Sequence, residues 1–158
     1  MQEFYLSPKM LVVRVKRLHS DAQLPKQMTS GSAGFDLYTI KDEVLYESHP
    51  ILIPCGFAIE IPKGFEGQIR PRSGGALKGI TVLNSPGTID SDYRGEVMVL
   101  LYRVRVRGNA AQLTLKIPAG TRIAQLVICP VSNVMLFETD ELSATSRGEG
   151  GFGSTGAE

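Results

Sequence analysis

The chain has 158 residues, of which 42% are hydrophobic and 21% are charged, and its formal net charge is +1. This length fits one domain that can bury a core, and the composition excludes wholesale disorder. The small net charge gives no indication of nucleic-acid or membrane binding, and no apolar run approaches the roughly 20 residues of a bilayer span. Cys55 and Cys129 are isolated, and the first residues lack a secretory pattern, so we expect a cytoplasmic protein.

Apolar and polar residues alternate along several short runs, with a period of two that is typical of half-buried strands. The clearest runs are residues 12–18, 103–107 and 112–117. Turn signals stand between the runs, at residues 61–64, 85–87 and 118–120. The helical candidates are slight, a turn near residues 75–78 and a stretch at 139–144. The sequence therefore predicts an all-β sandwich, jelly roll or barrel, ending in a glycine-rich tail.

Familiar catalytic motifs are absent from the sequence, including G-x-S-x-G, H-E-x-x-H and G-x-x-x-x-G-K-[ST]. His19 and His49 stand in isolated contexts, which favours a structural or surface role. The row of Arg103, Arg105 and Arg107 favours a solvated or salt-bridged strand face over a nucleic-acid site, because the net charge is near zero.

Two polar clusters precede the middle of the chain, and each has a structural alternative. In residues 32–39, Gly34 could form a bulge and Asp36 could cap a loop. In residues 69–79, Arg72 leads into Ser73-Gly74-Gly75. Backbone N–H groups in such a turn, with serine and arginine beside them, can hold phosphate oxygens, although an ordinary turn fits equally well.

Residues 84–96, NSPGTIDSDYRGE, carry the most information. Asn84 begins a Pro-Gly, hairpin-like turn. A strand would place Asp90 and Asp92 on the same face, which is costly if both are buried and charged. In a fourth cluster, residues 120–127, a buried Gln125 amide would need hydrogen-bond partners, and a surface-facing glutamine is the alternative.

These clusters, together with the tail, resemble in their order the five motifs of the dUTP pyrophosphatase (deoxyuridine triphosphatase) family. The matching segments are AGFDL (33–37), PRSG (71–74), GTIDSDYRGE (87–96), RIAQL (122–126) and RGEGGFGSTG (147–156). The resemblance runs from about Leu11 to Gly156. One departure is that residues 73–79 are one residue shorter than the common pattern and have Gly75 where leucine is usual.

The resemblance implies a fold and an assembly. The expected fold is a distorted jelly roll of the β-clip type over residues 1–146. Residues 147–158 would form a flexible glycine-rich C-terminal arm that closes over an active site. Three copies would form a homotrimer whose active sites are shared between subunits.

The resemblance also implies an activity, hydrolysis of dUTP to dUMP and pyrophosphate by attack of water on the α-phosphate. This reaction keeps uracil out of DNA and supplies dUMP for thymidylate synthesis. Asp90 would be the catalytic base, and Mg²⁺ the cofactor, bridging the phosphates without a direct protein ligand. Asp36 would act through metal-bound water or by orienting Arg72. Neither nucleic acid nor membrane is an expected partner.

The substrate-binding residues that the resemblance implies fall into three groups. The first holds phosphate oxygens: Arg72, Ser73, Gly74 and Gln125. The second surrounds the uracil and the deoxyribose, with Tyr93 packed on the sugar: Asn84, Gly87, Thr88, Ile89, Tyr93 and Met98. The third lies on the arm, where Arg147 would meet the terminal phosphate and Phe152 would stack on the uracil: Arg147, Phe152, Gly153 and Ser154.

Two other functions fit a related fold. A dCTP deaminase would need a water-activating glutamate at a position that Leu100 occupies here, and leucine cannot activate water. A non-catalytic nucleotide-binding regulator would have little need for the intact Asp90, Gln125 and tail motif. The reaction products separate the three possibilities, because a pyrophosphatase releases pyrophosphate, a deaminase releases ammonia and a regulator releases neither.

Overall fold

Strands form nearly all the regular structure of the computed structural model, which describes residues 10–105 and 113–151. One helix of four residues accompanies ten strands in these ranges. In chain order the elements are β1 (Arg14–Arg17), β2 (Phe35–Tyr38), β3 (Glu43–Tyr46), β4 (Ile51–Glu60), β5 (Phe65–Arg70), α1 (Ser73–Ala76), β6 (Ile80–Val82), β7 (Gly87–Ile89), β8 (Glu96–Arg103), β9 (Thr114–Ile117) and β10 (Arg122–Pro130). The predicted all-β class is confirmed.

The strands of the described residues pair in two four-stranded sheets and a two-stranded ribbon. One sheet has the order β1-β4-β8-β6, the other has the order β2-β10-β5-β7, and β3 pairs with β9. All of these pairs are antiparallel. Since most neighbours are distant in sequence and the chain passes repeatedly between the sheets, the architecture is that of a jelly roll.

The core lies between the two large sheets and follows from strand alternation. In β8, Val97, Val99 and Leu101 are buried, whereas Met98 on the opposite face is exposed. Phe57 of β4 and Leu126 of β10 belong to the same cluster of buried side chains. Each fully buried side chain of this size contributes about 1.5–3 kcal/mol relative to an exposed one, so these alternating positions hold the sheets together.

The arginine row differs from its prediction, because β8 ends at Arg103 and not at Arg107. Arg103 is only 7% exposed, since its position in the alternation places it on the core face, so a solvated face is wrong for this residue. Arg105 lies outside the strand and forms an ion pair with Glu47 at 3.6 Å, as a salt-bridged residue would. Arg107 lies outside the described residues.

The two helical expectations had different outcomes. The turn expected near residues 75–78 is confirmed as α1, which begins two residues earlier, at Ser73. The helix expected at residues 139–144 is wrong, because this stretch is irregular and exposed. Leu142 is its only large apolar side chain, and so short a segment cannot remain helical without an apolar face to bury. In the part of the chain that the structure describes, no helix could cross a membrane.

Cys55 lies on the core side of β4 with no exposed surface. Burial, helped by the nearby negative charge of Glu96, raises the pKa of the Cys55 thiol to about 12. The folded protein therefore holds this thiol neutral at a pH where the unfolded chain, with an ordinary pKa of 9.0, has lost the proton. A thiol of this kind is a packing group and not a nucleophile.

We therefore expect the free energy of unfolding to fall as the pH rises from about 9 towards about 12, by up to about 1.4 kcal/mol per pH unit, because only the unfolded chain releases the Cys55 proton. Urea unfolding at about pH 8 and about pH 10.5 measures the decline. The free energy of unfolding of Cys55→Ala should fall less between these pH values than that of the native protein. The variant Cys129→Ala, which changes the half-exposed cysteine, should fall as much as the native protein does. Equal declines in all three proteins would contradict the buried neutral thiol.

Candidate active site

One group of predicted residues, the Arg72 cluster (Asp36, Arg72, Ser73, Gly74 and Gln125), lies where β2, β5 and β10 meet. Asp36 is 8% exposed, and its carboxylate binds two arginines. Oδ1 accepts a hydrogen bond from Arg72 Nε at 2.9 Å, and Oδ2 accepts one from Arg122 Nη1 at 3.1 Å. Charge-assisted bonds of this kind fix the direction of a guanidinium. The carboxylate thus holds arginines and does not cap a loop.

Gln125 stands opposite Asp36 on one side and Arg70 on the other. Its Nε2 donates to the Pro71 carbonyl at 2.9 Å, which supports the turn that leads to Arg72. A Cβ on Gly34 would overlap the Gln125 amide oxygen, so Gly34 gives this side chain its room. The Gln125 amide is therefore half-buried and has a hydrogen-bond partner. The bulge lies in β10, between Arg122 and Ala124, and not at Gly34.

Ser73 and Gly74 open α1, for which Arg72 is the N-cap residue. The N–H groups of Gly75 and Ala76 both donate to the Arg72 carbonyl at 3.0 Å. The first N–H groups of a helix have no partner within it and are available to an anion. A Cβ on Gly74 would have nothing within 4 Å, so this side of the turn is open to a ligand.

A second group of predicted residues lines a cavity of about 300 Å³, here called the Tyr93 cavity. This volume is at the lower end of the range of small-molecule sites. Seven predicted residues share it: Asn84, Gly87, Thr88, Ile89, Asp90, Tyr93 and Met98.

Asn84, in the turn at residues 83–86, lines this cavity. The Ser85-Pro86 peptide bond is cis. A Cβ on Gly87 would lie 3.2 Å from Asn84 Nδ2, so the Asn84 amide packs over this glycine. The hairpin expectation is wrong, because β6 pairs with β8 whereas β7 pairs with β5. The turn carries the chain from one sheet to the other, which leaves its polar groups beside the cavity.

Asp90 and Asp92 do not lie on a strand, because β7 ends at Ile89. The chain turns here, with the Tyr93 N–H donating to the Asp90 carbonyl at 3.1 Å. The predicted placement of both carboxylates on one strand face is therefore wrong. Asp90 lines the Tyr93 cavity, and Asp92 is not among the residues that line it.

Some residues of the cavity wall were not predicted from the sequence. Leu52, Ile69, Glu96 and Val97 also line it. Glu96 could have been found, because it stands two residues before Met98 on β8, and alternate residues of a strand share a face. Leu52 could not have been found in this way, since its place depends on the pairing of β4 with β8.

The end of the Tyr93 cavity that holds Asp90 lies away from the Arg72 cluster within one chain, although Ile69 of β5 also lines the cavity. Ile89 pairs with Gly67 at one end of β5, and Gln125 pairs with Arg70 at the other end. Ile89, the residue before Asp90, is thus about 10 Å from Gln125 along the strand direction and, with β7 and β10 on opposite sides of β5, about 10 Å across it. One chain does not bring Asp90 to the Arg72 cluster.

The structure describes the arm only as far as Gly151. Arg147 lies in an exposed turn, where its Nε donates to the Gly150 carbonyl at 2.8 Å. The predicted contacts of Phe152, Gly153 and Ser154 fall outside the described residues.

The jelly-roll fold, the small-molecule cavity and the anchored arginine beside open N–H groups define an all-β protein suited to a small ligand with negative charge. A family model described as dUTPase matches residues 20–156. The chain belongs to the dUTPase family, which confirms the resemblance seen in its motifs.

Individual relatives extend the match over nearly the whole chain. The deoxyuridine 5'-triphosphate nucleotidohydrolase of Hydrogenobaculum sp. is 53% identical over 144 residues, which cover 90% of this chain and 96% of that protein. The protein of the same name from Rhizobium johnstonii is 49% identical over 156 residues, which cover 96% of each. Among solved structures, a mutant of the Staphylococcus bacteriophage 80alpha dUTPase with dUpNHpp has a TM-score of 0.82 and 27% identity, covering 92% of this chain and 98% of that one.

Proposed function

We propose that the protein hydrolyses dUTP to dUMP and pyrophosphate, through attack of water on the α-phosphate. The observation that carries this proposal is the Tyr93 cavity, which gathers seven of the predicted site residues in a chain of the dUTPase family. The reaction would keep uracil out of DNA and supply dUMP for thymidylate synthesis.

Selection of the base and sugar is assigned to the Tyr93 cavity. The Asn84 amide and the main chain of residues 84–88 would pair with the uracil edge. Cytosine presents a donor where uracil presents an acceptor, which would leave buried groups unpaired at a high cost. The Tyr93 ring would pack on the deoxyribose and leave no room for a 2′-hydroxyl. Gly87, Thr88, Ile89 and Met98 would complete the walls.

The chemical step is assigned to Asp90. Its exposed carboxylate at the edge of the cavity can accept a proton from the attacking water and orient that water towards the α-phosphorus. Its neighbour Tyr93, on the same turn, would keep the sugar and so the α-phosphate in register with the carboxylate. The proton moves to Asp90, and pyrophosphate leaves on the opposite side of the phosphorus.

Mg²⁺ is the cofactor that we propose. Across residues 10–105 and 113–151 no three histidine, cysteine or acidic side chains form a metal-binding group. Mg²⁺ usually keeps several waters and takes few protein ligands, so we propose an ion held mainly by substrate phosphates and water. When bound, it would neutralise the charge that builds on the leaving pyrophosphate. Both Asp36 oxygens accept hydrogen bonds from arginines, so we assign Asp36 to orienting Arg72.

Phosphate binding is assigned to the Arg72 cluster. Arg72 is anchored through Nε, so its terminal nitrogens can face a ligand. The N–H groups of Ser73 and Gly74 open a helix turn, a position that favours anions, and the serine hydroxyl adds a donor. One hydrogen of Gln125 Nε2 binds the Pro71 carbonyl, which leaves the second for a phosphate oxygen.

We propose that the active protein is a homotrimer with shared sites. Water activation at Asp90 and phosphate binding at the Arg72 cluster must meet on one nucleotide, yet they lie at opposite ends of β5 in one chain. A neighbouring copy can supply the missing half. The apolar run Val134, Met135, Leu136 and Phe137, each 70–93% exposed, supports contact with another subunit, because monomers rarely leave such a patch uncovered.

The arm, residues 147–158, would close over the bound nucleotide. Arg147 is exposed, and its terminal nitrogens could reach the terminal phosphate. Phe152 would stack on the uracil, while Gly153 and Ser154 would contribute phosphate contacts. A glycine-rich arm suits this role because its backbone can pass close to phosphates.

We expect pyrophosphate release, with Mg²⁺ present, from dUTP and at most weak release from dTTP, dCTP, UTP and dATP. The physical reasons are steric exclusion of the 5-methyl group of dTTP, unpaired buried groups with dCTP, and the Tyr93 ring, which leaves no room for the 2′-hydroxyl of UTP. A coupled pyrophosphate assay on this panel measures the preference. Ammonia from dCTP would indicate a deaminase, and tight dUTP binding without any product would indicate a regulator.

A further inference from the structure

The position of Tyr93 depends on residues outside the predicted site. Its hydroxyl donates to the main-chain carbonyl of Glu96 at 2.9 Å. The hydroxyl end of its ring lies against Gly95, where a Cβ would overlap the hydroxyl and the ring carbons next to it. Two contacts therefore position the ring: a hydrogen bond from its hydroxyl and close packing of the same end against Gly95.

Glu96 is itself anchored to the other strand of the pair. Its Oε1 accepts a hydrogen bond from the Gly56 N–H at 2.7 Å. Gly56 lies in β4 at the irregularity between Pro54 and Ala58, where the register with β8 shifts, and its φ is +74°. A carboxylate on a main-chain N–H that the ladder leaves unpaired is a strong, charge-assisted bond.

The Gly56 end of this contact is fixed. The Gly56 carbonyl accepts from the N–H groups of Leu18 at 2.8 Å and His19 at 3.1 Å. A Cβ at Gly56 would lie 2.7 Å from the Ala22 side chain, so this backbone is closely packed. Glu96 is thus held by a rigid part of the fold and not by a mobile loop.

We propose that Glu96 is the positioning residue that sets sugar specificity, by tying the Tyr93 ring through the start of β8 to the Gly56 bulge. The inference rests on the proposed function, in which Tyr93 packs on the deoxyribose. Without the Glu96 carboxylate, the carbonyl that holds the Tyr93 hydroxyl loses its support. The ring can then move away from Gly95, and a 2′-hydroxyl can enter the cavity.

The test compares two ratios among variants at one position. The first is kcat/KM for UTP over kcat/KM for dUTP, and the second is the Kd of UMP over the Kd of dUMP, which needs no hydrolysis. We expect Glu96→Ala to raise the first ratio, and lower the second, by about 10-fold, the scale of discrimination by packing against one small group. Glu96→Gln keeps an oxygen for the Gly56 N–H and should stay near the native values.

Two further variants separate positioning from folding. Glu96→Leu keeps most of the side-chain volume but has no acceptor, so it should shift both ratios as predicted for Glu96→Ala. It provides the test if Glu96→Ala does not fold. Glu60→Ala removes a half-exposed glutamate of β4 that pairs with Arg14 and should leave both ratios unchanged. A structural role alone would lower thermal stability in the acceptor-free variants but leave both ratios at native values, and that result would overturn the inference.

The two kinds of ratio also separate this inference from the proposed function. If the native protein binds dUMP more tightly than UMP but releases no pyrophosphate from dUTP, the proposed hydrolysis is wrong, whereas the proposed role of Glu96 in sugar selection is retained. Native protein that hydrolyses dUTP, with Glu96→Leu as selective as the native chain, would remove only the role of Glu96.

Discussion

Asp90→Asn is expected to lower kcat for dUTP by about 10²- to 10⁴-fold, the usual contribution of a general base. The amide cannot accept a proton from water, but it is nearly the same size as the carboxylate and leaves the Tyr93 cavity intact. Binding of a non-hydrolysable dUTP analogue should therefore change little. Single-turnover pyrophosphate release and calorimetric binding measure the two quantities separately.

Asp92→Asn is the matched control, because Asp92 lies on the same turn and is not among the residues that line the cavity. It should retain most of the native kcat. Similar losses in both variants would show that the charge of the turn matters and not the carboxylate of Asp90. Unchanged turnover in Asp90→Asn would remove this residue from the role of base.

Mixing two inactive variants, Asp90→Asn and Arg72→Ala, is expected to restore activity. In a homotrimer whose sites combine Asp90 of one subunit with Arg72 of another, random reassembly at equal amounts gives about a quarter of the sites both native residues. The reason is the separation along β5, which prevents one chain from supplying both groups to one nucleotide. The measurement is pyrophosphate release after the two proteins are unfolded together and refolded.

Each variant refolded alone is the first control for this experiment and should remain inactive. The second control is the double variant, with both substitutions on one chain, refolded with the native protein. About a quarter of all sites in this refolded mixture are native as well, since both contributing subunits must then be native chains. Mixed single variants that stay inactive, while this second mixture is active, would place both groups of a site on the same chain.

Local alternation and turn chemistry predicted much of the fold. Strands β1 and β9 lie within the alternating runs predicted at residues 12–18 and 112–117. The same rule misled at Arg103, because alternation fixes the face but does not show that a charged side chain will be buried there. Strand pairing could not be predicted, since β10 meets β2 and β5 across long stretches of chain.

The candidate site was predicted largely from the motifs of a family, and the structure supplies the arrangement. Residue types indicated Asp36 and Arg72, but only their 2.9 Å contact shows that one holds the other. Alternation along β8 could have placed Glu96 beside the cavity, but its contact with Gly56 could not be predicted, because Gly56 is 40 residues away and lies where the register shifts. Such a shift has no signal in the local sequence.

The placement of Asp90 and Gln125 at opposite ends of β5 has a consequence for inheritance. In the proposed trimer, a damaging mutation in one chain affects a site that also contains residues of a different chain. A cell that makes two versions of the protein, each damaged in a different half, would retain part of its enzyme, whereas two versions damaged in the same half would have none. Natural selection would therefore act on the mixture of chains that assemble together. The strand β5 causes this, because it separates Asp90 from the Arg72 cluster within each chain.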